Sequence, residues 1–252
     1  MMDSTNDVIE KSIQSIRTDK ATLEQILKSF KVVLDECTLG IDQSGLFFRA
    51  LDPRHISLID MRLPKSIFQE WNISKEISFE VDVELFLKIV KSLDKKQSVL
   101  LEIFKDEIKI SNKESSTLLN IREGNPQETP VPNIIFDQKI TSTQNEFLKV
   151  LRSIDAISDY VTIEKTFDYC YVSGKGEKGS SKNELSTVFN FGTSETISES
   201  TYNLDYLMPF LKTVPKDQIV DLEFSSTKPV KLTTKINEIG IIQFYLAPRV
   251  EN

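Results

Sequence analysis

The chain has 252 residues, of which 39% are hydrophobic and 27% charged, and its formal net charge at pH 7 is −7. This length and composition suit an ordinary globular protein of one large or two modest domains, and exclude a disordered or collagen-like chain. The negative charge argues against general attraction to nucleic acid, so any contact with DNA has to be local. No stretch approaches the ~18 unbroken apolar residues of a membrane helix, and the N-terminus lacks the basic and apolar parts of a secretory signal. We therefore expect an intracellular protein with no membrane partner.

Few residues of the chain are suited to catalysis or metal binding. The sequence contains one histidine, two cysteines and eight scattered glycines. A hydrolytic triad, a zinc site or a phosphate-cradling loop needs such residues at closer and more specific spacing. Cys37 and Cys170 lie in apolar surroundings, which predicts buried thiols. We expect no enzyme activity, no metal and no cofactor.

The first half of the sequence alternates predicted strands with two amphipathic helices. Residues 1–11 form a polar extension to which we assign no function. Apolar residues recur at helical spacing over residues 21–36 and 83–93, with lysines on the opposite side of each predicted helix. Alternating apolar residues predict strands at 12–17, 37–41, 46–51, 56–63, 77–81, 99–104, 107–112 and 116–121.

A change of composition marks the middle of the chain. Residues 122–133 contain three prolines and one glycine, which disfavours helices and sheet interiors alike. We interpret this segment as an extended linker between two domains.

The second half repeats the first at an offset of 121 residues. At that offset Lys28 and Lys31 fall on Lys149 and Arg152. Chance similarity of two amphipathic patterns is the alternative, but cations repeat in register less easily than apolar residues. The repeat predicts an α+β fold of two duplicated domains, 12–121 and 134–250, each a sheet with two helices. Pro209 lies inside the fourth predicted helix and is expected to bend or shorten it.

Two segments almost two hundred residues apart carry a family resemblance. They are Ala-Leu-Asp-Pro-Arg-His-Ile-Ser-Leu at 50–58 and Phe-Tyr-Leu-Ala-Pro-Arg-Val-Glu at 244–251. Together they resemble the hallmark segments of the proliferating cell nuclear antigen family, the DNA sliding clamps of eukaryotes and archaea. The sequence is most similar in character to the clamp subunits of crenarchaeal archaea.

The resemblance implies a function in DNA replication and repair. Three subunits of such a clamp close into a ring around double-stranded DNA, after loading by a clamp loader. The ring is a processivity factor without enzyme activity, and it tethers DNA polymerase, flap endonuclease and DNA ligase through short peptide motifs. The chain would then work in the cytoplasm or nucleoid of an archaeon, or in the nucleus of a eukaryote.

The resemblance also assigns roles to individual residues. Basic side chains on the helices would face the DNA: Lys28, Lys31, Lys88, Lys91, Lys149, Arg152 and Lys212. A pocket under the linker would bind partner peptides through Leu51, His55, Ile56, Val131, Pro132, Pro229, Tyr245, Ala247 and Pro248. The strand around 115–121 would pair with that around 183–190 of the next subunit, with apolar contacts from Leu118, Leu119, Ile121, Leu185, Val188 and Phe189.

Several alternatives stay open from the sequence alone. The lysines would equally suit a solvated helix face, and the proposed edge strands would equally suit an ordinary core. The linker has few large apolar residues, and Arg49 stands where the family has a neutral polar residue, which hints at a subunit of a mixed ring. A homotrimer and a heterotrimer both remain possible. The competing functions are a checkpoint-type clamp subunit and a peptide-binding scaffold with no role on DNA.

Overall fold

The computed structural model describes residues 14–94, 97–125, 129–166, 169–185 and 197–249, and the backbone alone at 189–190. The first half contains β1 (Gln14–Asp19), α1 (Lys20–Lys31), β2 (Glu36–Ile41), β3 (Gly45–Leu51), β4 (Ser57–Pro64), β5 (Glu70–Asn72), β6 (Ile77–Asp82), α2 (Val83–Ser92), β7 (Ser98–Ile103), β8 (Glu107–Ser111), β9 (Ser116–Asn120) and β10 (Arg122–Glu123). The second half contains β11 (Gln138–Thr143), α3 (Gln144–Asp155), β12 (Tyr160–Lys165), β13 (Cys170–Gly176), β14 (Gly179–Glu184), β15 (Phe189–Asn190), β16 (Ser198–Asn203), α4 (Leu204–Thr213), β17 (Ile219–Phe224), β18 (Val230–Ile236) and β19 (Gly240–Leu246). This order confirms two duplicated α+β domains.

The first helix is shorter than the sequence predicts. Asp19 caps its start by accepting a hydrogen bond from the Thr22 amide, and the helix ends at Lys31 rather than at residue 36. The amides of Val33 and Leu34 both donate to the Phe30 carbonyl, which forms a turn that leads into β2. The prediction was too long because residues in this turn still pack on the core at helix-like spacing.

The structure corrects the offset between the first helices of the two domains. The third helix begins 124 residues after the first, at 144 against 20, whereas the fourth begins 121 residues after the second, at 204 against 83. Lys28 is therefore equivalent to Arg152, and not to Lys149. A slip of three residues moves a helix by almost one turn, so the apolar face matches in either alignment.

A ten-stranded antiparallel sheet contains five strands from each half of the chain. Its strand order is β10-β6-β2-β3-β4-β19-β18-β17-β11-β15. At its centre β4 pairs with β19, from Ser57 opposite Leu246 to Arg62 opposite Ile241. Two smaller sheets complete the described fold, in the orders β5-β1-β7-β8-β9 and β14-β13-β12-β16. The two hallmark segments thus become neighbours because β4 and β19 share one ladder.

The helices pack on one face of the ten-stranded sheet. Phe30 of α1 contacts Phe48 of β3 with ring centroids 4.2 Å apart. Phe210 of α4 stacks on Phe244 of β19 at 4.6 Å. The side chains that alternate with these core residues, such as Tyr245 and Gln243, project to the opposite face, which we call the outer face.

Two further expectations need correction. The fourth helix is as long as the second, so Pro209 does not shorten it. Pro209 is exposed, and the carbonyl that its missing N–H would have bonded belongs to Asp205 in the first turn. The predicted linker begins too early, since Arg122 and Glu123 pair with β6. Within the described residues, no helix is long and apolar enough to cross a membrane.

Candidate DNA and peptide interfaces

The four helices form one continuous layer. Side-chain contacts tie them together pairwise: Lys31 of α1 bonds Glu84 of α2 at 2.8 Å, and Ser29 of α1 contacts Thr213 of α4 at 3.4 Å. Gln144 of α3 donates to the Leu211 carbonyl of α4 at 3.1 Å. The layer therefore runs in the order α2, α1, α4, α3, and it spans both domains.

In the first domain, glutamates hold most of the basic side chains of this layer. Lys28 bonds Glu24 at 2.8 Å, and Lys31 and Lys88 share Glu84 at 2.8 Å each. The hydrogen bonds from the two ammonium groups lower the pKa of Glu84 from 4.5 to about 2. Burial raises the pKa of Glu24, but the Lys28 ammonium outweighs it and the net pKa falls below its ordinary value. Both glutamates are charged at neutral pH and partly cancel the lysines.

In the second domain, the cations of the helix layer differ from those of the first. Lys149, Arg152 and Lys212 are exposed. Among the residues that the structure describes, no carboxylate lies within ion-pair distance of these three or of Lys91. The structure thus places all seven predicted DNA-facing cations on the helix layer, with the four unpaired ones concentrated towards α3 and α4.

The predicted peptide pocket begins at the loop between β3 and β4. The buried carboxylate of Asp52 organises this loop by accepting hydrogen bonds from the amides of Arg54, Ile56 and Ser57. His55 donates its amide to the Asp52 carbonyl at 2.9 Å and adopts a left-handed φ of 59°. Its imidazole is exposed. Asp52 was not among the predicted site residues, although an aspartate before proline is a recognised turn signal.

The C-terminal strand supplies the other side of the pocket. Tyr245 lies opposite Leu58, and Leu58 lies opposite Leu51, so the three side chains form one row on the outer face. The Ala247 amide donates to the Ile56 carbonyl at 2.8 Å and fixes the chain end against the loop. Burial and the nearby Asp60 carboxylate raise the pKa of the Tyr245 hydroxyl. Sequence reasoning missed Leu58, whose signal is its alternation with buried core residues of β4.

The linker is anchored beside this row, at Arg49 in the neighbouring row of the outer face. Arg49 bonds Asp60 through Nε at 2.9 Å and donates from a second nitrogen to the Thr129 carbonyl at 3.0 Å. Val131 and Pro132 are half-buried where the linker crosses the sheet, as is Pro229 at the start of β18. The charge at Arg49, noted as a departure from the family, therefore anchors the linker.

The chain end beyond the pocket is anchored as well. Pro248 is half-buried, and the Arg249 amide donates to the Thr201 carbonyl at 2.7 Å. The Arg249 guanidinium lies 4.1 Å from the centre of the Tyr160 ring. These contacts hold Ala247 and Pro248 next to the loop that carries Ile56.

The proposed subunit interface requires correction. β9 and β14 are both edge strands, but the second runs over Gly179–Glu184 rather than 183–190. The side chains of Leu119, Ile121 and Leu185 are buried in the chain's own core and offer no apolar surface to a neighbour. Leu118, by contrast, is 56% exposed.

Phe189 does not lie in the predicted edge strand. Phe189 belongs to β15, which pairs with β11, and Val188 lies outside the described residues. The strand was misplaced because β14 is polar throughout and lacks the alternation that marks a half-buried strand.

No candidate metal centre is found in the part of the chain that the structure describes. It contains no group of three or more histidine, cysteine, aspartate or glutamate side chains placed to hold a metal ion. Cys37 and Cys170 are buried, as predicted, and burial raises the pKa of both thiols, that of Cys170 to about 12.

Comparison with known proteins identifies the family. Residues 15–121 match the family model for "Proliferating cell nuclear antigen, N-terminal domain", and residues 130–249 match the model for the C-terminal domain of the same family. The chain is 33% identical to the DNA polymerase sliding clamp of Nitrosopumilus maritimus, over 91% of this chain and 95% of the relative. It is 30% identical to DNA polymerase sliding clamp 3 of Sulfurisphaera tokodaii, over 92% and 98%.

Solved structures show the same fold. The A. fulgidus PCNA bound to the C-terminal region of FEN-1 superposes with a TM-score of 0.87 at 22% identity, covering 95% of this chain and 99% of that one. The PCNA2–PCNA3 complex from Sulfolobus tokodaii gives a TM-score of 0.83 at 28% identity, covering 94% and 100%. The fold and these matches define a two-domain protein of the non-catalytic sliding-clamp class. The chain belongs to the proliferating cell nuclear antigen family.

Proposed function

We propose that this chain is one subunit of a ring that encircles duplex DNA and tethers replication and repair enzymes to it. The observation that carries the proposal is the arrangement of the ten-stranded sheet. One face supports a helix layer with exposed cations, and the other carries an apolar row beside an anchored linker. Sliding on DNA and binding of partners thus use opposite faces of one sheet. Such a subunit works inside the cell, wherever the chromosome lies.

The helix layer is suited to DNA contacts that permit sliding. Seven cations on flexible side chains can meet phosphates at close range, and phosphate contacts carry no sequence information. The chain is acidic overall, so attraction is restricted to the inner wall of the ring.

The two edge strands are suited to ring closure. β9 ends one sheet in the first domain and β14 ends another in the second. A head-to-tail contact between unlike edges repeats from subunit to subunit until the rotation closes the ring. The PCNA2–PCNA3 complex of Sulfolobus tokodaii contains two different subunits, so the ring that we propose can be a mixed ring as well as a homotrimer.

The apolar row is suited to peptide capture. The A. fulgidus protein binds the C-terminal region of FEN-1, which supports a C-terminal segment of a partner protein as the occupant that we propose for this row. Polymerase, flap endonuclease and ligase are the clients that we propose, with a clamp loader to open the ring. Leu51 and Ile56, which are half-buried, would contact apolar anchors of the peptide, and Leu58 and Tyr245, which are buried in the free chain, would form the floor beneath them. The loop at His55 would offer polar contacts.

The test is retention on circular DNA. Assembled subunits, alone or with sister subunits, are loaded with a clamp loader and separated from free protein by gel filtration. We expect the wild-type chain to stay on nicked circular DNA and to slip off after the DNA is cut to a linear form. Leu118→Asp, which places a charge on the exposed edge, should give a folded chain that is not retained.

Other outcomes distinguish the competing functions. A scaffold without a role on DNA would show no retention in either form of the DNA. Retention that persists on linear DNA would indicate ordinary binding instead of encirclement, and would contradict the proposal. Leu119→Asp is the matched variant, since it charges the neighbouring buried position and should unfold the domain.

A further inference from the structure

The outer face of the sheet carries a second strip of apolar and basic side chains beyond the peptide pocket. Lys235 lies opposite Ile241, Ile241 opposite Arg62, and Arg62 opposite Phe47. These four residues occupy four adjacent strands and project to the same face, because directly paired residues share a face. We call them the distal strip.

The distal strip is accessible. Ile241 is 44% exposed, and the Arg62 side chain is 72% exposed. Phe47 lies flat against the sheet over Gly40, since a Cβ atom at Gly40 would come within 2.0 Å of the Phe47 ring. At the β18 end, an open groove lined by Ile219, Lys235 and the carboxylates of Asp217, Asp221 and Glu238 adjoins the strip, and Ile219 is 48% exposed. The basic part of the surface therefore ends at Lys235.

The cations of the strip are available to a ligand. Asp60 is 3.8 Å from Arg62, but it already bonds Arg49 at 2.9 Å. Lys235 is exposed and has no ion pair with any residue that the structure describes. Two cations that alternate with two apolar side chains form a surface complementary to an extended segment that carries acidic and aliphatic residues in turn at every second position, because every second side chain of such a segment lies on one face.

The strip continues the surface of the pocket. Along β19, Ile241 in the strip and Tyr245 in the pocket are four residues apart, which is about 13 Å in a strand. A polar row that contains Arg49, Asp60 and Gln243 separates them. The linker is bonded to Arg49 at the β3 side of this row. An extended peptide that crosses the row on β19, over Gln243, needs about four residues to reach from one site to the other.

We propose that the distal strip binds an acidic, aliphatic segment that flanks the pocket-binding motif of a client protein. This inference rests on the proposed function, because the pocket has to hold the anchors before the flank can follow. Clients that carry such a flank would bind this subunit more tightly than clients that carry the pocket motif alone. The strip would then help to choose among clients that share the same anchors.

The experiment uses synthetic peptides and titration calorimetry. The short peptide carries one aliphatic and two aromatic anchors. The extended peptides add four Gly/Ser residues and then Glu-Ser-Leu-Ser-Glu-Ser-Leu, at the amino end in one and at the carboxyl end in the other, so that both glutamates and both leucines share one face of the extended chain. One extended peptide should bind the wild-type chain about tenfold more tightly than the short one, the size expected of two exposed ion pairs and a partly buried aliphatic contact.

Variants of the strip locate the effect. Arg62→Glu combined with Lys235→Glu should abolish the gain and leave the affinity for the short peptide unchanged. A peptide with lysine in place of the two glutamates should regain affinity on that variant. Ile241→Ser should remove part of the gain, and Lys75→Glu, at an exposed loop between β5 and β6, is the control that should have no effect.

The outcomes are distinguishable. If the short peptide binds and neither extension improves it, the strip is not a flank site, although the pocket stands. If the short peptide fails to bind the wild-type chain, the pocket itself is wrong and the inference falls with it. If the double variant changes the number of subunits in sedimentation, the strip is a contact between chains, which also overturns the inference.

Discussion

The two halves of the helix layer share a backbone plan but treat their cations differently. In the first domain Glu24 and Glu84 hold three lysines in ion pairs, whereas in the second domain Lys149, Arg152 and Lys212 face solvent without a carboxylate partner among the described residues. The core positions of the repeat are constrained by packing, but its exposed positions are free to diverge. The net positive charge on the inner wall of the proposed ring is therefore greater in the second domain of each subunit than in the first.

The strongest way to test this comparison is to remove the unpaired cations. Lys149→Ala, Arg152→Ala and Lys212→Ala together should flatten the log-log salt dependence of DNA binding by about 2.7, since each phosphate contact contributes about 0.9. Processive synthesis should fall while the protein stays folded. Binding measured between 50 and 200 mM salt checks the slope.

A matched control keeps this prediction specific. Lys65→Ala, Lys75→Ala and Lys105→Ala change the net charge equally, but these exposed side chains lie outside the helix layer. If both triple variants changed the slope equally, overall charge rather than the helix layer would be responsible.

Lys20 and Gln144 occupy equivalent positions at the start of α1 and α3. Lys20 is buried, and its ammonium donates to the carbonyls of Lys91 and Leu93 at the end of α2. Gln144 makes one such bond to Leu211, and its side-chain oxygen is buried without a partner among the described residues. Both residues tie the first helix of a domain to the last turn of the second, but the lysine does so with more bonds.

Removing these ties should destabilise the two domains unequally. Lys20→Ala should cost about 1–3 kcal/mol in the free energy of unfolding, because it leaves two carbonyls without their donor. Gln144→Ala should cost about 1 kcal/mol, because it removes one neutral bond. Urea unfolding of both variants provides the measurement, and a larger loss for Gln144→Ala would show that the equivalence fails.

The difference between the domains can also be removed by neutralising the two glutamates while every cation is kept. Glu24→Gln with Glu84→Gln releases Lys28, Lys31 and Lys88 for phosphate contacts, and should steepen the salt dependence by about 0.9 for each lysine that engages DNA. Glu70→Gln is the control, since Glu70 pairs with Arg17 in the sheet β5-β1-β7-β8-β9 rather than on the helix layer. An unchanged slope would mean that the lysines already leave their glutamates when DNA is bound.

The sequence was sufficient for features that depend on apolar periodicity. Both helices of the first domain, the duplicated plan and the cations on the helix faces could be predicted from residue spacing. The register between α1 and α3 could not, since a three-residue slip leaves the apolar face intact. The caps settle it: Asp19 and Thr143 each accept the first backbone hydrogen bond of their helix.

Features that depend on neighbouring strands were harder to predict. Leu118 and Leu119 are adjacent leucines, and only the pleat of β9 decides which is exposed and which is buried. β14 was misplaced because its residues are polar on both faces. Leu58 was missed in the pocket because its membership depends on the pairing of β4 with β19, two strands from opposite ends of the chain.

The smallest expected effect is a dependence of stability on pH through Glu84. Its pKa is about 2 in the folded chain and near 4.5 as an ordinary glutamate, because Lys31 and Lys88 both donate hydrogen bonds to it. A depressed folded pKa stabilises the fold above the unfolded value, and this contribution is lost as the pH falls from about 4.5 to about 2. The free energy of unfolding of wild type minus that of Glu84→Gln should therefore be constant at neutral pH and shrink across that acidic interval.

The effect will be modest, since the carboxylate is exposed to solvent and salt screens its ion pairs. Denaturant unfolding at a series of pH values measures it, and a difference that stayed constant down to pH 2 would mean that the two lysines do not hold Glu84 in solution.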